Sequence, residues 1–126
     1  MKKKLFNEIR RLNEFDREFK KLLKRFKTLD EDLDNFIKFQ LNLTHKLNII
    51  DKESIVRISN LDIDSPKIYK ARRFACKSLK GKGARSGMRI IYAYYKENDI
   101  IEFIEIYHKA QKANEDRDRI LEHYKN

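Results

Sequence analysis

Five side chains in the second half of this sequence have the types and spacing to handle a phosphate. They are Lys70 and Arg72 in IYKARR, Arg89 in SGMRIIY, and His108 with Lys109 at the end of IEIYHK. On a strand, residues two apart share one face with Cα atoms about 6.6–7 Å apart, which sets Lys70 and Arg72 side by side. The planar guanidinium of Arg89 can meet two phosphate oxygens at once. A histidine such as His108 exchanges protons near neutral pH. The same residues also fit structural duties. Lys70 and Arg72 suit a solvated sheet face, Arg89 an ion pair with Glu102 or Glu105 on the neighbouring strand, and His108 the end of a strand. Tyr92 and Tyr107 can stack on a base, but strand spacing suits core aromatics. His45 and His123 have no context that argues for function.

Charge narrows the partner. The chain has 126 residues, 30 basic and 20 acidic, and a formal net charge of +10. Ten of the cations fall between residues 65 and 96 with no Asp or Glu among them, so the rest of the chain is neutral overall. A pI near 9.7 points to an anionic partner. A membrane-surface helix would line its cations along one helical face, whereas these lie in strand and turn sequence, which favours nucleic acid. Beyond the five residues above, Arg73, Lys77, Lys80, Lys82, Arg85 and Lys112 are candidates for electrostatic contact with RNA. No metal site is expected, because the acids lie outside the patch and the three histidines lack ligand spacing. No cofactor is expected either. The single cysteine, Cys76, can form no internal disulfide and reads as a half-buried thiol. The basic start MKKK is followed by no apolar run, and no 18-residue apolar stretch occurs, so a cytoplasmic protein without a membrane span is expected.

The elements that must position these residues follow from periodicity. A length of 126 residues and 40% hydrophobic content suit one domain with its own core. Phe15, Phe19, Leu22, Leu23 and Phe26 recur at three and four, predicting a helix over 14–26 with Asn13 or Asp16 as its cap. Thr28 and Glu31 have capping-box spacing, and Leu29, Leu33, Phe36, Ile37 and Leu41 continue a second helix to about residue 43. Residues 44–65 read as a long connector with a short strand near 55–58. After Pro66 the period becomes two, and Gly81, Gly83 and Gly87 mark a basic loop. MRIIYAYY and IIEFIEIYH read as strands joined by the turn KEND. A last helix carries Ile120, Leu121 and Tyr124. Residues 5–12 fit a helix slightly better than a strand on pattern alone.

From SGMRIIY through the hairpin to IEIYHK, and in the order of elements from about Phe6 to Tyr124, the chain resembles the RelE/ParE superfamily of toxins from toxin-antitoxin systems. The resemblance implies a strand near 5–12. It also implies an α+β fold, with an antiparallel sheet of about four strands, an N-terminal helical hairpin packed on one face and a short C-terminal helix. It implies a metal-independent endoribonuclease that cleaves mRNA, in the ribosomal decoding site, by attack of the ribose 2′-OH on its own phosphate. A cognate antitoxin protein would cover the basic patch. Lys70 and Arg72 match the family's basic pair, and Arg89 matches the Arg of its glycine-aromatic-Arg motif, where it would contact the scissile phosphate. Met88 replaces the usual aromatic. His108 and Lys109 stand where the family often has a catalytic Arg, His or Lys. Ala110 stands where a second catalytic Arg is expected, and Asp116 lies near the position of a C-terminal tyrosine, so either Lys109, Lys112 or His108 takes over or the chemistry is weaker. The alternative within the fold is non-enzymatic: a ParE-like gyrase inhibitor or an RNA-binding module.

Overall fold

The computed structural model describes residues 4–79, 81 and 83–125. The chain runs β1 (Glu8–Arg11), α1 (Asn13–Arg25), α2 (Leu29–Asn35) continuing as a π-helix (Phe36–Lys46), β2 (Ile55–Arg57), β3 (Lys67–Ala71), a short 3-10 turn (Gly83–Arg85), β4 (Met88–Tyr95), β5 (Ile100–His108) and α3 (Arg117–Tyr124).

The helical hairpin forms as its periodicity predicts. Phe15, Phe19 and Leu22 make the buried face of α1, and Phe15 stacks on Phe103 of β5 with ring centroids 5.2 Å apart. Glu14 and Asp16 in the first turn and Lys24 and Arg25 in the last complement the helix dipole. The expected caps differ. No side chain caps α1, and Thr28 caps no amide of α2. Instead the Thr28 hydroxyl donates to Asp32 at 2.7 Å and accepts from the Ser78 amide at 2.9 Å. The buried Asp32 carboxylate also accepts from the Lys77 amide at 3.2 Å. The turn of the hairpin is thereby tied to the segment after β3. Past Asn35 the backbone widens to i→i−5 bonding, which keeps Phe36 and Leu41 inside while Phe39 and Leu43 face water.

The sheet has five strands in the order β1-β5-β4-β3-β2 and is mixed, not purely antiparallel as expected. β1 is a strand, and it runs parallel to β5 with Ile9 opposite Ile101. β2 adds the fifth strand from within the connector, pairing antiparallel with β3. Charged Glu8, Arg10 and Arg11 blunt the β1 edge.

Both faces of the sheet are covered. Met88, Ile90, Tyr92 and Tyr94 of β4 join the hairpin in one core cluster, while Ile91 and Ala93 join Ile120 and Tyr124 of α3 in another. The last helix therefore packs on the opposite face from the hairpin. Arg119 pins it down, donating to Glu18 of α1 at 2.8 Å and to the Ile104 carbonyl at 2.8 Å.

One irregularity governs everything downstream. Ile91 pairs with Glu105 but Tyr92 pairs with Phe103, so Ile104 is an extra residue bulged out of β5. Because side chains alternate with period two, the insertion exchanges the faces of every β5 residue that follows. Ile101 and Phe103 before the bulge face the hairpin, and after it Ile106 and His108 do so.

Candidate functional site

The exit of β3, the start of β4 and the end of β5 meet at one end of the sheet, where Ala71 is opposite Ile90 and Met88 is opposite His108. Local bonds hold this end together. The Ser86 hydroxyl donates to the Phe74 carbonyl and accepts from the Met88 amide at 3.1 Å. The Lys109 amide donates to the Gly87 carbonyl at 2.9 Å, extending the β4–β5 ladder by one residue. Gly87 has φ +86, and a Cβ there would lie 2.9 Å from His108 Nε2 and 3.2 Å from Lys109 Cγ. Only glycine satisfies both the turn and the close approach.

Over this end lies an open groove of about 390 Å³, lined by Arg72, Arg73, Arg85, Arg89 and Lys109, with Gly87 in its floor and Glu53 at its rim. The Arg89 guanidinium donates to the Arg72 carbonyl, and Arg72 donates to the Lys52 carbonyl at 2.7 Å. Both arginines are thus oriented by neutral acceptors, with no carboxylate on either among the described residues. Among the described residues, the ion pair within the groove joins Arg73 and Glu53. Those side chains are 47% and 73% exposed, so water screens the pair and an incoming anion can break it. Five cations, four of them exposed, facing one carboxylate in an open concave space favour a polyanion.

The expected site residues divide. Arg72, Arg73, Arg85, Arg89 and Lys109 are brought together. Lys70 does not line the groove: its ammonium pairs with Glu115 at 3.1 Å, with the two side chains only 15% and 11% exposed. Burial pushes the Glu115 carboxyl up, but its own amide and the Lys70 ammonium outweigh this and leave it below its ordinary value. His108 faces the hairpin, on the other side of the sheet from Arg89. Its Nε2 donates to the Ser86 carbonyl at 3.0 Å, its Nδ1 accepts from the Ala110 amide at 3.0 Å, and its ring stacks on Phe26. With both nitrogens engaged by backbone, the ring braces the groove floor from behind. The bulge at Ile104 is the reason, because an unbroken alternation would have put His108 on the face of Arg89.

Lys77 lies by the hairpin, paired with Glu31. Lys112 pairs with the fully buried Glu105 and sits 5.3 Å from the centre of the Tyr107 ring, so it has a structural partner on each side. Lys80 and Lys82 lie outside the described residues. Tyr92 and Tyr107 are core residues, and Cys76 is fully buried with its thiol pushed up, first by burial and then by Asp32. Neither Glu102 nor Glu105 pairs with Arg89; Glu102 accepts from Tyr124 at 2.6 Å. Two contributors have no strong signal in the sequence. Glu53 is an acid in an unpatterned connector, and the role of Gly87 follows from what approaches it. Among the described residues no group of three or more His, Cys, Asp or Glu could hold a metal ion, and no helix is long and apolar enough to cross a membrane.

No family model matches the chain, and no curated protein matches it significantly. Among solved structures it is similar to an archaeal RelE-RelB complex from Pyrococcus horikoshii OT3, at 12% identity over 82% of this chain and 96% of that one, with a TM-score of 0.48. A likeness that distant assigns no function to this chain.

Proposed function

We propose that this protein is a RelE-like toxin: a metal-independent endoribonuclease that cuts single-stranded mRNA in the ribosomal decoding site and is held inactive by a cognate antitoxin. The observation that carries the reading is the groove itself, in which Arg72, Arg85, Arg89 and Lys109 converge with no carboxylate on any of them among the described residues. Such a set suits a reaction whose main demand is neutralising charge on a pentacoordinate phosphate. Arg89 and Arg72 are pre-oriented through backbone carbonyls, so little reorganisation is needed as that charge develops.

The chemistry balances with groups in the groove. The ribose 2′-OH gives its proton to an acceptor, for which Glu53 is the carboxylate at the rim, and its oxygen attacks the adjacent phosphorus. The bond from phosphorus to the 5′ oxygen breaks, leaving a 2′,3′-cyclic phosphate. The departing oxygen takes a proton from the Lys109 ammonium. His108 supports this from behind by holding Ser86 and Ala110, not by touching the phosphate. A basic groove of this kind also suits an antitoxin segment rich in Asp and Glu.

The test is Arg89→Ala. In cells carrying the gene without its partner, the wild type is expected to arrest growth and to produce transcripts ending in 2′,3′-cyclic phosphate, whether or not a chelator is present in the assay. Arg89→Ala is expected to lower cleavage by about 10²- to 10³-fold. Cleavage at the wild-type rate by a folded Arg89→Ala protein sinks the assignment to this groove. Intact transcripts alongside broken DNA would point to a gyrase poison instead.

A further inference from the structure

A second cavity, of about 430 Å³, lies on the hairpin side of the β2 edge, between the end of the π-helix, the connector and strands β2 to β4. Its inner wall is aromatic. Tyr69 is half-buried and stacks on Tyr92 at 5.4 Å, and the His45 ring stands 4.9 Å from Tyr69 and 4.4 Å from Tyr94. Its rim is cationic, with Lys52, Arg57, Lys67 and Lys96, and no Asp or Glu lines it among the described residues. Thr44 and Asn48, with a hydroxyl and an amide, are also among its lining residues, and Asn48 holds φ +55. Flat ring faces, a few hydrogen-bonding groups and a ring of cations are what a nucleobase with an attached phosphate requires.

The cavity is also joined to the basic groove. Lys52 lines the cavity and the next residue, Glu53, lines the groove. Arg72, in the groove, donates to the Lys52 carbonyl at 2.7 Å, so the two sites share one divider. We infer that this cavity binds one nucleotide of the single-stranded RNA, base against Tyr69 and phosphate on the lysine rim, at a fixed offset from the bond cut in the groove. The inference rests on the proposed RNA substrate and adds where sequence preference arises. Stacking is sequence-tolerant, so discrimination falls to Thr44 and Asn48 at the base edge. His45 belongs to the wall: its Nε2 lies 2.7 Å from the Tyr92 hydroxyl, and burial, then the Lys46 charge, pulls it down to about 4, leaving it uncharged beside the base.

The exposed Ile50 in the cavity lining, beside the cationic rim, raises one rival occupant, an acidic protein segment with an apolar anchor. The experiment separates the two. A short RNA with a 2′-O-methyl group at the cleaved nucleotide, so that it binds uncut, carries 4-thiouridine at one position at a time. The expected result is that one position crosslinks to the peptide holding His45 or Tyr69 and a different one to groove peptides holding Arg85 or Lys109. Tyr69→Leu is expected to weaken binding about tenfold and to flatten nucleotide preference. Because Tyr69 also packs on the core, the exposed pair Lys67→Ala with Lys96→Ala is a second arm, expected to weaken RNA binding in a protein of unchanged stability. RNA bound with groove crosslinks alone and unchanged affinity in both variants overturns this inference and leaves the proposed function standing. If those variants bind RNA normally but escape relief by the co-expressed cognate antitoxin, the cavity belongs to a protein partner and the inference is also overturned. Failure of the wild type to bind RNA overturns both readings.

Discussion

Replacing Gly87 with alanine tests whether the groove is built as described. The backbone there has φ +86, a conformation costing an L-residue roughly 1–2 kcal/mol. The new Cβ would also lie 2.9 Å from His108 Nε2. That ring cannot swing aside freely, since its two nitrogens are bonded to Ser86 and Ala110 at 3.0 Å each. Losing one of those bonds costs about 1 kcal/mol. Stiffening the unfolded chain returns roughly 0.4–1 kcal/mol. The net expectation is a loss of about 2 kcal/mol, or roughly 6–10 °C in melting temperature for a chain of this size. Gly81→Ala is the control. It has φ +77 but nothing within 4 Å of the added Cβ, so it should lose only the backbone part. Urea denaturation of the two variants and the wild type reads the difference directly. RNA cleavage by Gly87→Ala should fall as well, because Lys109 Cγ stands 3.2 Å from the same Cβ and must move. Equal losses from the two alanines would refute the reasoning, and with it the register that places His108 behind Gly87.

Other outcomes follow from the same geometry. His45 is neutral in the fold down to about pH 4 but titrates near 6.5 when unfolded. Its contribution is therefore complete above pH 6.5 and is lost as pH falls from 6.5 toward 4, by up to about 3 kcal/mol. His45→Gln should flatten that limb of the stability-against-pH curve, and parallel curves for the two proteins would contradict the burial. Lys70→Met takes the closer of two cations from Glu115, leaving only Arg117 at 3.9 Å in a mostly dry setting, and should destabilise by about 1–3 kcal/mol. Adding Glu115→Leu should restore most of it in thermal melts, whereas a Lys70 acting on RNA would show lost cleavage that the second change does not repair. His108→Gln should cost about 1–2 kcal/mol while leaving the shape of the pH–cleavage profile as in the wild type. Loss of a limb near neutral pH would instead make His108 a proton carrier.

Much of this molecule is legible one segment at a time. The three-and-four spacing of Phe15, Phe19 and Leu22 specifies α1, and β-branched and aromatic runs specify β4 and β5. A helix face or a strand pattern is a property of neighbours in the chain, so it survives without knowledge of the fold. The strand at residues 8–11 is different. Its pattern leans to helix, and it becomes a strand because β5 offers it a free edge. β2 likewise is three residues whose partner, β3, lies ten residues further along the chain. The widened helix at Phe36–Lys46 follows from what Phe36 and Leu41 must reach, and no residue announces it.

For the site, sequence alone determined the chemistry available: an excess of cations concentrated between residues 65 and 96, a glycine-marked loop, and Arg89 at the head of a strong strand. Which cations meet was decided by tertiary structure. Period-two reasoning on IIEFIEIYH directs His108 to the face of Arg89, and it fails because Ile104 is bulged out of the ladder. That one extra residue turns His108 to the hairpin and brings Lys109, paired with Gly87, to the groove. A bulge depends on how two strands and the layers on both of their faces fit together, and this is information that no single strand contains. The same holds for Lys70, whose partner Glu115 lies 45 residues away in the chain and reaches it only once α3 is docked.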